Sequence, residues 1–301
     1  QTCALPISQQ RGLGIKVMNL MGFDFNRGRL DVSHHPFCGG LPDDTRITTR
    51  YREDSFVESL MAVIHETGHA LYQQGLPPDW RNQPLGEARS NAVHESQSLI
   101  MEMQAARTPE FIAYLTPHLH EAFLGGATSD PIWQKDNVIR HYHQVKPDYI
   151  RVDADEVTYP LHVILRFEIE RDLIDGRIET TDIPGLWHDK MMQYLGLSTE
   201  GNYENGCLQD VHWPAGLFGY FPSYTLGAMT AAQLFKSAQA EHPNLLDELA
   251  QGNFSSLVAW LRVHIHGRGC AVSSEQLLMD ATGEGLNSDY FIHHLQQRYG
   301  S

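Results

Sequence analysis

The sequence predicts a mainly α-helical fold with a single short β element. Apolar residues recur at three- and four-residue spacing through most of the chain, which is typical of amphipathic helices. Gly and Pro interrupt these runs, and polar residues alternate with apolar ones in one short segment only. No repeat of fixed period, low-complexity tract or long linker divides the chain, so we treat residues 9–301 as one unit.

Residues 1–8 are predicted to be a non-native leader. Residues 2–7, TCALPI, read like the translation of a sequencing-adapter oligonucleotide joined to a gene fragment, and such scars are excluded from fold reasoning. An ordinary frayed terminus is the alternative interpretation.

The helical periodicity predicts four long helices and two shorter ones, separated by loops rich in Gly, Pro and Asn. The loops include residues 33–44 and 198–206. The long helices are expected at about Phe56–Gln74, Asn91–Ala106, Pro160–Leu173 and Thr225–Ala240, with the others near Trp187 and Leu257.

The β element is expected at Arg46–Tyr51, where β-branched residues alternate with polar ones. We interpret it as an exposed edge strand, to which an extended peptide could add by backbone pairing. A connecting hairpin strand is the alternative.

Composition excludes several classes of protein. The formal net charge is -15, with 22 Lys and Arg against 37 Asp and Glu, which is the opposite of a nucleic-acid-binding surface. No apolar run is long enough to span a membrane, and no signal-peptide pattern opens the chain. The four cysteines form no C-x-x-C pair, which favours neither a thiolate metal cluster nor a disulfide framework. We therefore expect a cytoplasmic protein that binds neither nucleic acid nor membranes.

The predicted helix at residues 56–74 contains the strongest motif. Ser55 and Glu58 match a capping box at its start, and Gly75 followed by two prolines predicts its end. Within it, His65-Glu66-Thr67-Gly68-His69 places two imidazoles four residues apart, on one face of the helix, where both can bind the same metal ion.

Glu66 lies beside that predicted metal site. A carboxylate there can take a proton from a metal-activated water and later pass it to a leaving amine. Gly68 is unfavourable in a helix interior by roughly 1 kcal/mol relative to Ala, which indicates that another segment packs closely against it.

A catalytic zinc ordinarily has three protein ligands, so a third donor is required. No third His follows at the H-x-x-G-x-x-H spacing, because Tyr72 and Gly75 occupy those positions. The spacing leaves three carboxylates of the following segment as candidates, Glu87, Glu95 and Glu102. We choose Glu95, near the start of a helix that Ser90 or Asn91 would cap.

Six segments in this order resemble the M32 metallocarboxypeptidases, also called thermostable or Taq-type carboxypeptidases. They are His35-Pro36-Phe37, Asp44-Thr45-Arg46-Ile47-Thr48, the H-E-x-x-H helix, His94-Glu95-Ser96-Gln97, Ile150-Arg151-Val152-Asp153-Ala154-Asp155 and Gly206-Cys207-Leu208-Gln209-Asp210-Val211-His212-Trp213. The resemblance implies that His65, His69 and Glu95 are the metal ligands and Glu66 the general base. It also implies an almost wholly helical zincin-type peptidase with a deep central cleft, which forms homodimers and removes single C-terminal residues from peptides.

The chain departs from this family at its beginning. Members have a substantial additional N-terminal helical region, and this sequence starts within the family's pattern. Residues 9–301 are therefore expected to be an N-terminally truncated catalytic region.

A carboxypeptidase must recognise a free carboxylate, for which a guanidinium is a planar, bidentate partner. Arg151 is our first candidate, although Asp153, Asp155 and Glu156 lie close enough in sequence to hold it in a structural ion pair. Arg46 is the second candidate.

The oxyanion of a tetrahedral intermediate needs hydrogen-bond donors. We assign this role to His212 and Tyr224, and we favour Tyr224 over Tyr220 by similarity to related cleft peptidases, leaving Tyr220 as a substrate contact. Asp210 and Gln209 are expected to orient a ligand imidazole.

These observations together predict a zinc-dependent carboxypeptidase of broad specificity, with cobalt as the alternative ion. Two alternatives remain: an H-E-x-x-H endopeptidase or dipeptidyl hydrolase, and a catalytically inactive metal-binding fragment.

Overall fold

The computed structural model describes residues 5–300. Contacts between Cα atoms divide them into two compact units. Unit 1 comprises the chain up to His143 together with Gly227–Phe291, and unit 2 comprises Gln144–Leu226 and the residues from Ile292 onward. The assignment of residues 9–301 to a single unit stays a prediction.

Helices dominate the described residues, and the mainly α-helical class is confirmed. None of these helices is both long enough and apolar enough to cross a bilayer. Twelve α-helices are present in this part of the chain: α1 Ile7–Leu20, α2 Val57–Gly75, α3 Asn91–Leu99, α4 Pro109–Leu124, α5 Lys135–Tyr142, α6 Tyr159–Ile174, α7 Ile183–Leu195, α8 Pro222–Glu241, α9 Leu245–Leu249, α10 Ser255–His264, α11 Ser274–Thr282 and α12 Asp289–Tyr299.

The first described residues belong to unit 1. Leu5 is buried, and its amide donates a hydrogen bond of 3.0 Å to the carbonyl oxygen of Glu53. Helix α1 begins at Ile7, inside the stretch that we predicted to be a leader. Residues 1–4 of that stretch lie outside the described residues, and its non-native origin stays a prediction.

Unit 1 contains a three-stranded sheet of β1 Gly28–Val32, β2 Phe37–Leu41 and β3 Asp44–Thr49, in the order β1-β3-β2. Strand β3 is parallel to β1 and antiparallel to β2. The predicted edge strand is therefore the central strand, and our expectation of peptide pairing along it was wrong. The error has a physical reason, because β3 pairs on its two sides with β1 and β2, segments that were not predicted to be strands.

The sheet packs on helices α1 and α2 through one apolar cluster. The cluster joins α1 to β1, β3 and α2, and it comprises Met18, Phe23, Leu30, Ile47, Val63 and Ala70. Helix α2 is thereby fixed between the sheet on one side and α3 on the other, which positions the motif at residues 65–69.

Helix α2 begins one residue later than expected, and without the predicted capping box. Phe56 is its N-terminal flanking residue, and no side chain there accepts a capping hydrogen bond. Ser55 instead forms an isolated bridge with Arg52, so its backbone belongs to the preceding turn. Helix α3 does have the expected cap, since the Ser90 hydroxyl accepts from the Val93 amide at 3.3 Å.

Gly68 lies where α2 and α3 touch, as the sequence indicated. A Cβ atom at this position would lie 2.4 Å from the carbonyl oxygen of Gln97 and 2.6 Å from the Cα atom of Ser98. Both contacts are with backbone, which cannot move aside as a flexible side chain can. The glycine therefore permits the close approach of the two helices.

Unit 2 is built around the pair α6 and α7. Its apolar core comprises Leu165, Ile169, Trp187, Met191 and Leu195. In the same unit, the fully buried carboxylate of Glu156 accepts hydrogen bonds from the end of α12, with partners His294, Arg298 and Tyr299 at 2.6, 3.0 and 2.7 Å. This carboxylate ties the last turns of the chain to the segment that follows Arg151.

Candidate metal centre

Three side chains converge between α2 and α3 in unit 1. His65 and His69 project from one face of α2, one turn apart, and Glu95 projects from α3. The Nε2 atom of His65 lies 3.6 Å from Glu95 Oε1, and the Nε2 atom of His69 lies 3.7 Å from Glu95 Oε2. The donor atoms of the three side chains all lie within 4.8 Å of one another, so they can share one ion.

The other nitrogen of each imidazole already has a partner. His65 Nδ1 lies 2.9 Å from Glu102 Oε2, and His69 Nδ1 lies 3.0 Å from the backbone oxygen of His94. Because these oxygens only accept, each Nδ1 carries the proton and donates it. The two Nε2 atoms, which face Glu95, are consequently the ones placed to bind a metal ion.

The charges around His65 favour a cation. Burial alone would lower the pKa of this imidazole, but the neighbouring carboxylates of Glu102, Glu95 and Glu66 raise it to about 10. Burial, together with the positive charge of His65, lowers the pKa of His69. Three acidic groups thus surround one imidazole pair, and a divalent cation would compensate their charge.

Glu66 follows His65 in the sequence and is buried in α2. Its side chain is buried beside His65, and its Oε2 atom accepts no hydrogen bond from the described residues. Burial raises the pKa of this carboxyl group to about 7; His65 opposes the rise, and Glu95 and Glu102 add to it. A buried carboxylate oxygen with a free lone pair can accept a proton from a bound water molecule.

The residues present therefore fit a metal ion. Two imidazole nitrogens and one carboxylate are the donor set of catalytic zinc sites that keep a position open. The orphaned Glu66 oxygen is explained if it faces the group that fills this position.

Sequence reasoning missed the roles of Glu102 and His94. We weighed Glu102 as a metal ligand, but it contacts the Nδ1 side of His65 and forms a 2.6 Å ion pair with Arg107. His94 binds His69 through its backbone oxygen, and its Nδ1 atom lies 2.7 Å from His69 Nδ1. The third ligand candidate, Glu87, is exposed.

Asp210 and Gln209 were expected to orient a ligand imidazole, and this was wrong. Both lie in unit 2 and bind Arg151: Gln209 Oε1 accepts from its amide at 2.8 Å, and Asp210 Oδ1 from its Nε at 2.9 Å. Arg166 donates to Asp210 Oδ2 at 2.6 Å. The ligand imidazoles proposed here have other partners, Glu102 for His65 and the backbone oxygen of His94 for His69.

Arg151 is buried and has several partners within unit 2. Its Nη2 lies 2.8 Å from Asp210, its Nη1 donates to the Tyr159 hydroxyl at 2.6 Å, and its guanidinium carbon lies 4.8 Å from the centre of the Tyr224 ring. Two of the acidic residues that we considered as its partners, Asp155 and Glu156, bind elsewhere. Asp155 accepts from the amides of Val157 and Thr158, and Glu156 binds α12.

His212 and Tyr224 lie together in unit 2, as predicted. The Nε2 atom of His212 and the Tyr224 hydroxyl share a hydrogen bond of 2.9 Å. Burial and the charge of Arg151 lower the pKa of His212 to about 4, so its imidazole is neutral at neutral pH. Tyr220 packs beside them. The centre of its ring lies 5.5 Å from the centre of the His212 ring and 5.4 Å from the centre of the Tyr224 ring.

Arg46 occupies an exposed position on β3, in unit 1. Its Nη2 lies 2.9 Å from Asp44 Oδ2, with about half of each side chain exposed to solvent. Such a pair is weak and screened by water, so the guanidinium can exchange partners readily.

Comparisons with known proteins identify the family. The model of the family described as carboxypeptidase Taq (M32) metallopeptidase matches residues 2–299. The chain belongs to this family. It is 40% identical to thermostable carboxypeptidase 1 of Thermus thermophilus, covering 98% of this chain and 57% of that protein. It is 39% identical to carboxypeptidase 1 of Bacillus subtilis, covering 100% of this chain and 59% of that protein.

A solved M32 relative has the same fold over the matched region. Trypanosoma cruzi metallocarboxypeptidase 1 superposes with a TM-score of 0.96 at 47% identity, covering all of this chain and 62% of that one. The chain thus spans rather more than half the length of these M32 relatives. The family membership and the helical metallopeptidase fold are confirmed, while the roles assigned to individual residues stay predictions.

Proposed function

We propose that this chain carries the catalytic centre of a zinc-dependent carboxypeptidase. It would hydrolyse the C-terminal peptide bond of peptides and release single amino acids with broad specificity. The observation that carries the proposal is the convergence of His65, His69 and Glu95, next to Glu66, whose Oε2 atom has no hydrogen-bond partner within residues 5–300. The M32 relatives, which are named carboxypeptidases, support the direction of cleavage.

His65, His69 and Glu95 would hold the ion. Bound there, a divalent cation supplies the Lewis acidity that makes water nucleophilic near neutral pH. Zinc is proposed because two imidazoles and one carboxylate are a common catalytic zinc set, and cobalt is the alternative.

Glu66 would move the proton. Its carboxylate accepts a proton from the attacking water and returns it to the nitrogen of the departing amino acid. A pKa of about 7 suits both steps, because the group ionises readily and still donates when protonated.

His212 and Tyr224 would stabilise the oxyanion. If the neutral imidazole donates its Nε2 proton to the Tyr224 oxygen, the hydroxyl proton of Tyr224 would be donated to the oxyanion. The neighbouring guanidinium of Arg151 makes this hydroxyl a better donor.

Arg151 remains the proposed partner of the substrate carboxylate. Arg151 and Arg166 are both buried and share one carboxylate, Asp210, so the three groups carry an excess positive charge. Arg166 also has a buried Nη2 with no hydrogen-bond partner among the described residues. An anionic chain end would compensate that charge, with Arg46 and Tyr220 as further proposed contacts.

The reaction class is tested with two peptides of the same sequence. One has a free C-terminal carboxylate and the other a C-terminal amide. We expect the zinc-loaded protein to release the last residue from the free peptide only, as detected by mass spectrometry. Cleavage of both peptides at an internal bond would establish the alternative, an endopeptidase or dipeptidyl hydrolase.

A second alternative is a metal-binding fragment without turnover. It is considered because the chain spans only 57% of the Thermus relative. About one zinc per chain, with no amino acid released from any short peptide, would establish it.

The oxyanion role is tested with Tyr224→Phe, which removes only the hydroxyl. We expect kcat to fall by about 10²–10³-fold, because one donor to the oxyanion is lost, while KM changes little. Tyr203→Phe is the control, since Tyr203 is exposed in the same unit. A kcat within twofold of the control would remove Tyr224 from this role.

The cellular setting is part of the proposal. The described cysteines, Cys38, Cys207 and Cys270, are all free thiols, which suits a reducing cytoplasm. We propose a homodimer by resemblance to the family, with peptides as substrates. Sedimentation of the zinc-loaded chain tests this, and a monomer at micromolar concentration would contradict it.

A further inference from the structure

The end of α3 has an uncommon form. A π-helix, Ile100–Ala105, follows α3 without a break, and the amide of Ala106 donates to the carbonyl oxygen of Met101 at 2.9 Å, five residues back. Such wide turns are rare in proteins and are frequent at functional sites. This one carries Glu102.

The wide turn lets two carboxylates of one chain segment reach opposite sides of the same ring. Glu95 Oε1 lies 3.6 Å from His65 Nε2, whereas Glu102 Oε2 lies 2.9 Å from His65 Nδ1. In an uninterrupted α-helix these residues, seven apart, would be about two turns apart on one face. The π-helix changes the direction of Glu102 relative to Glu95, because it has more residues in each turn.

The second oxygen of Glu102 is also held. Arg107 Nη2 donates to Glu102 Oε1 at 2.6 Å, and both side chains are more than four-fifths buried. The backbone of Arg107 is anchored in turn, since its carbonyl oxygen lies 2.7 Å from His143 Nε2. The carboxylate therefore has one fixed orientation, with one oxygen for each partner.

We propose that the π-helix and the Glu102–Arg107 pair form a positioning device for the metal ligand His65. Glu102 accepts a hydrogen bond from the Nδ1–H group of His65. This hydrogen bond fixes the tautomer and the plane of the imidazole, and it directs Nε2 toward Glu95. Arg107 keeps the carboxylate in place for this contact. The inference rests on the metal centre of the proposed function, and it concerns metal affinity rather than the type of peptide bond cleaved.

The test measures zinc binding by competition with a chelator. Glu102→Ala removes the hydrogen-bond acceptor of His65, and Glu102→Gln keeps one acceptor oxygen. Arg107→Met removes the guanidinium that holds the Glu102 carboxylate. We expect the zinc dissociation constant of Glu102→Ala to be about 10–100-fold higher than that of the unchanged protein. The dissociation constants of Glu102→Gln and Arg107→Met should lie between these two values. Glu87→Gln is the matched control, because Glu87 is an exposed carboxylate in the same unit.

The melting temperature of the zinc-free protein separates positioning from general stability. A positioning role predicts that zinc raises the melting temperature by less in Glu102→Gln than in Glu87→Gln, whatever the loss of the buried Glu102–Arg107 ion pair does to the zinc-free value. Equal zinc affinities in all variants and the control would overturn the inference and leave the metal centre standing. If the unchanged protein binds no zinc, both the metal centre and the positioning role are wrong.

Discussion

Burial gives Glu66 a pKa that suits the proton transfer we propose for it. The same side chain on the exposed part of α2 would be a solvated anion with no proton to exchange near neutral pH. Next to His65 its pKa rises to about 7, and one of its oxygens has no hydrogen-bond partner among the described residues. The residue can therefore both accept and donate a proton at neutral pH.

Glu66→Gln tests this role directly. The amide cannot accept a proton but has nearly the same shape, so we expect turnover to fall by about 10²–10⁴-fold while zinc stays bound. Amino-acid release and zinc content are measured on the same preparation. Glu58→Gln, an exposed change at the start of the same helix, should leave both unchanged. Turnover equal to that of this control would remove Glu66 from the mechanism.

At the scale of single residues the sequence was informative where the spacing is local. His65, Glu66 and His69 lie within one helical turn, so their relative geometry follows from the periodicity of the helix. The contacts of Arg151 could not be predicted, because Asp210 is 59 residues away in sequence. Asp155 and Glu156 are nearer to Arg151 in sequence, but Asp155 binds backbone amides and Glu156 binds side chains of α12.

Among the elements, the close packing of α2 on α3 determines whether the proposed metal ligands meet. Gly68 makes this possible, because a methyl group would overlap the backbone of Gln97 and Ser98. Any separation of the two helices would move Glu95 away from both imidazoles. The glycine is thus a requirement of the site as well as of the fold.

Gly68→Ala is expected to destabilise the protein although alanine favours helices. The gain in helix propensity is about 1 kcal/mol, and overpacking against fixed backbone costs about 1–3 kcal/mol or more. The control is Gly12→Ala, at an exposed position of α1 where a Cβ atom meets nothing within 4 Å. It should stabilise by about 0.4–1 kcal/mol. Urea unfolding measures both, and a Gly68→Ala protein as stable as the control variant would show that the helices can separate.

Two predictions about elements failed for one reason. The capping box at Ser55 and the edge position of β3 were inferred from local pattern alone. In the structure, the Ser55 backbone is used by the turn with Arg52, and β3 is paired on both sides. The π-helix likewise gave no recognisable periodic signal, since its residues continue the apolar spacing of α3.

For the whole molecule, the buried ion pairs of unit 2 make stability depend on pH. Burial would raise the pKa of Asp210, but Arg166 and Arg151 lower it below its usual value near 3.8. Its stabilising contribution is therefore fully present above about pH 4. The contribution is lost as pH falls further and the folded protein takes up the proton.

Asp210→Asn tests this contribution. At pH 7 we expect the free energy of unfolding of unit 2 to fall by about 3–5 kcal/mol, because two buried guanidinium groups lose their counter-charge. The difference from the unchanged protein should shrink below pH 4, as Asp210 takes up a proton first in the unfolded chain and, at lower pH, in the folded protein. Denaturant titrations from pH 3 to pH 7 measure it, with Asp280→Asn, an exposed partner of Arg268, as the control. A difference that is constant with pH would contradict the assignment.

The sequence by itself determined the helical class, the family pattern and the two imidazoles with their neighbouring carboxylate, because these depend on spacing within single helices. Tertiary structure decided that Glu95 meets the imidazoles, that β3 is a central strand, and that Glu102 contacts His65 from a π-helix. These features depend on which distant segments pack together. That is determined by contacts such as Gly68 on Gln97, which no local pattern specifies.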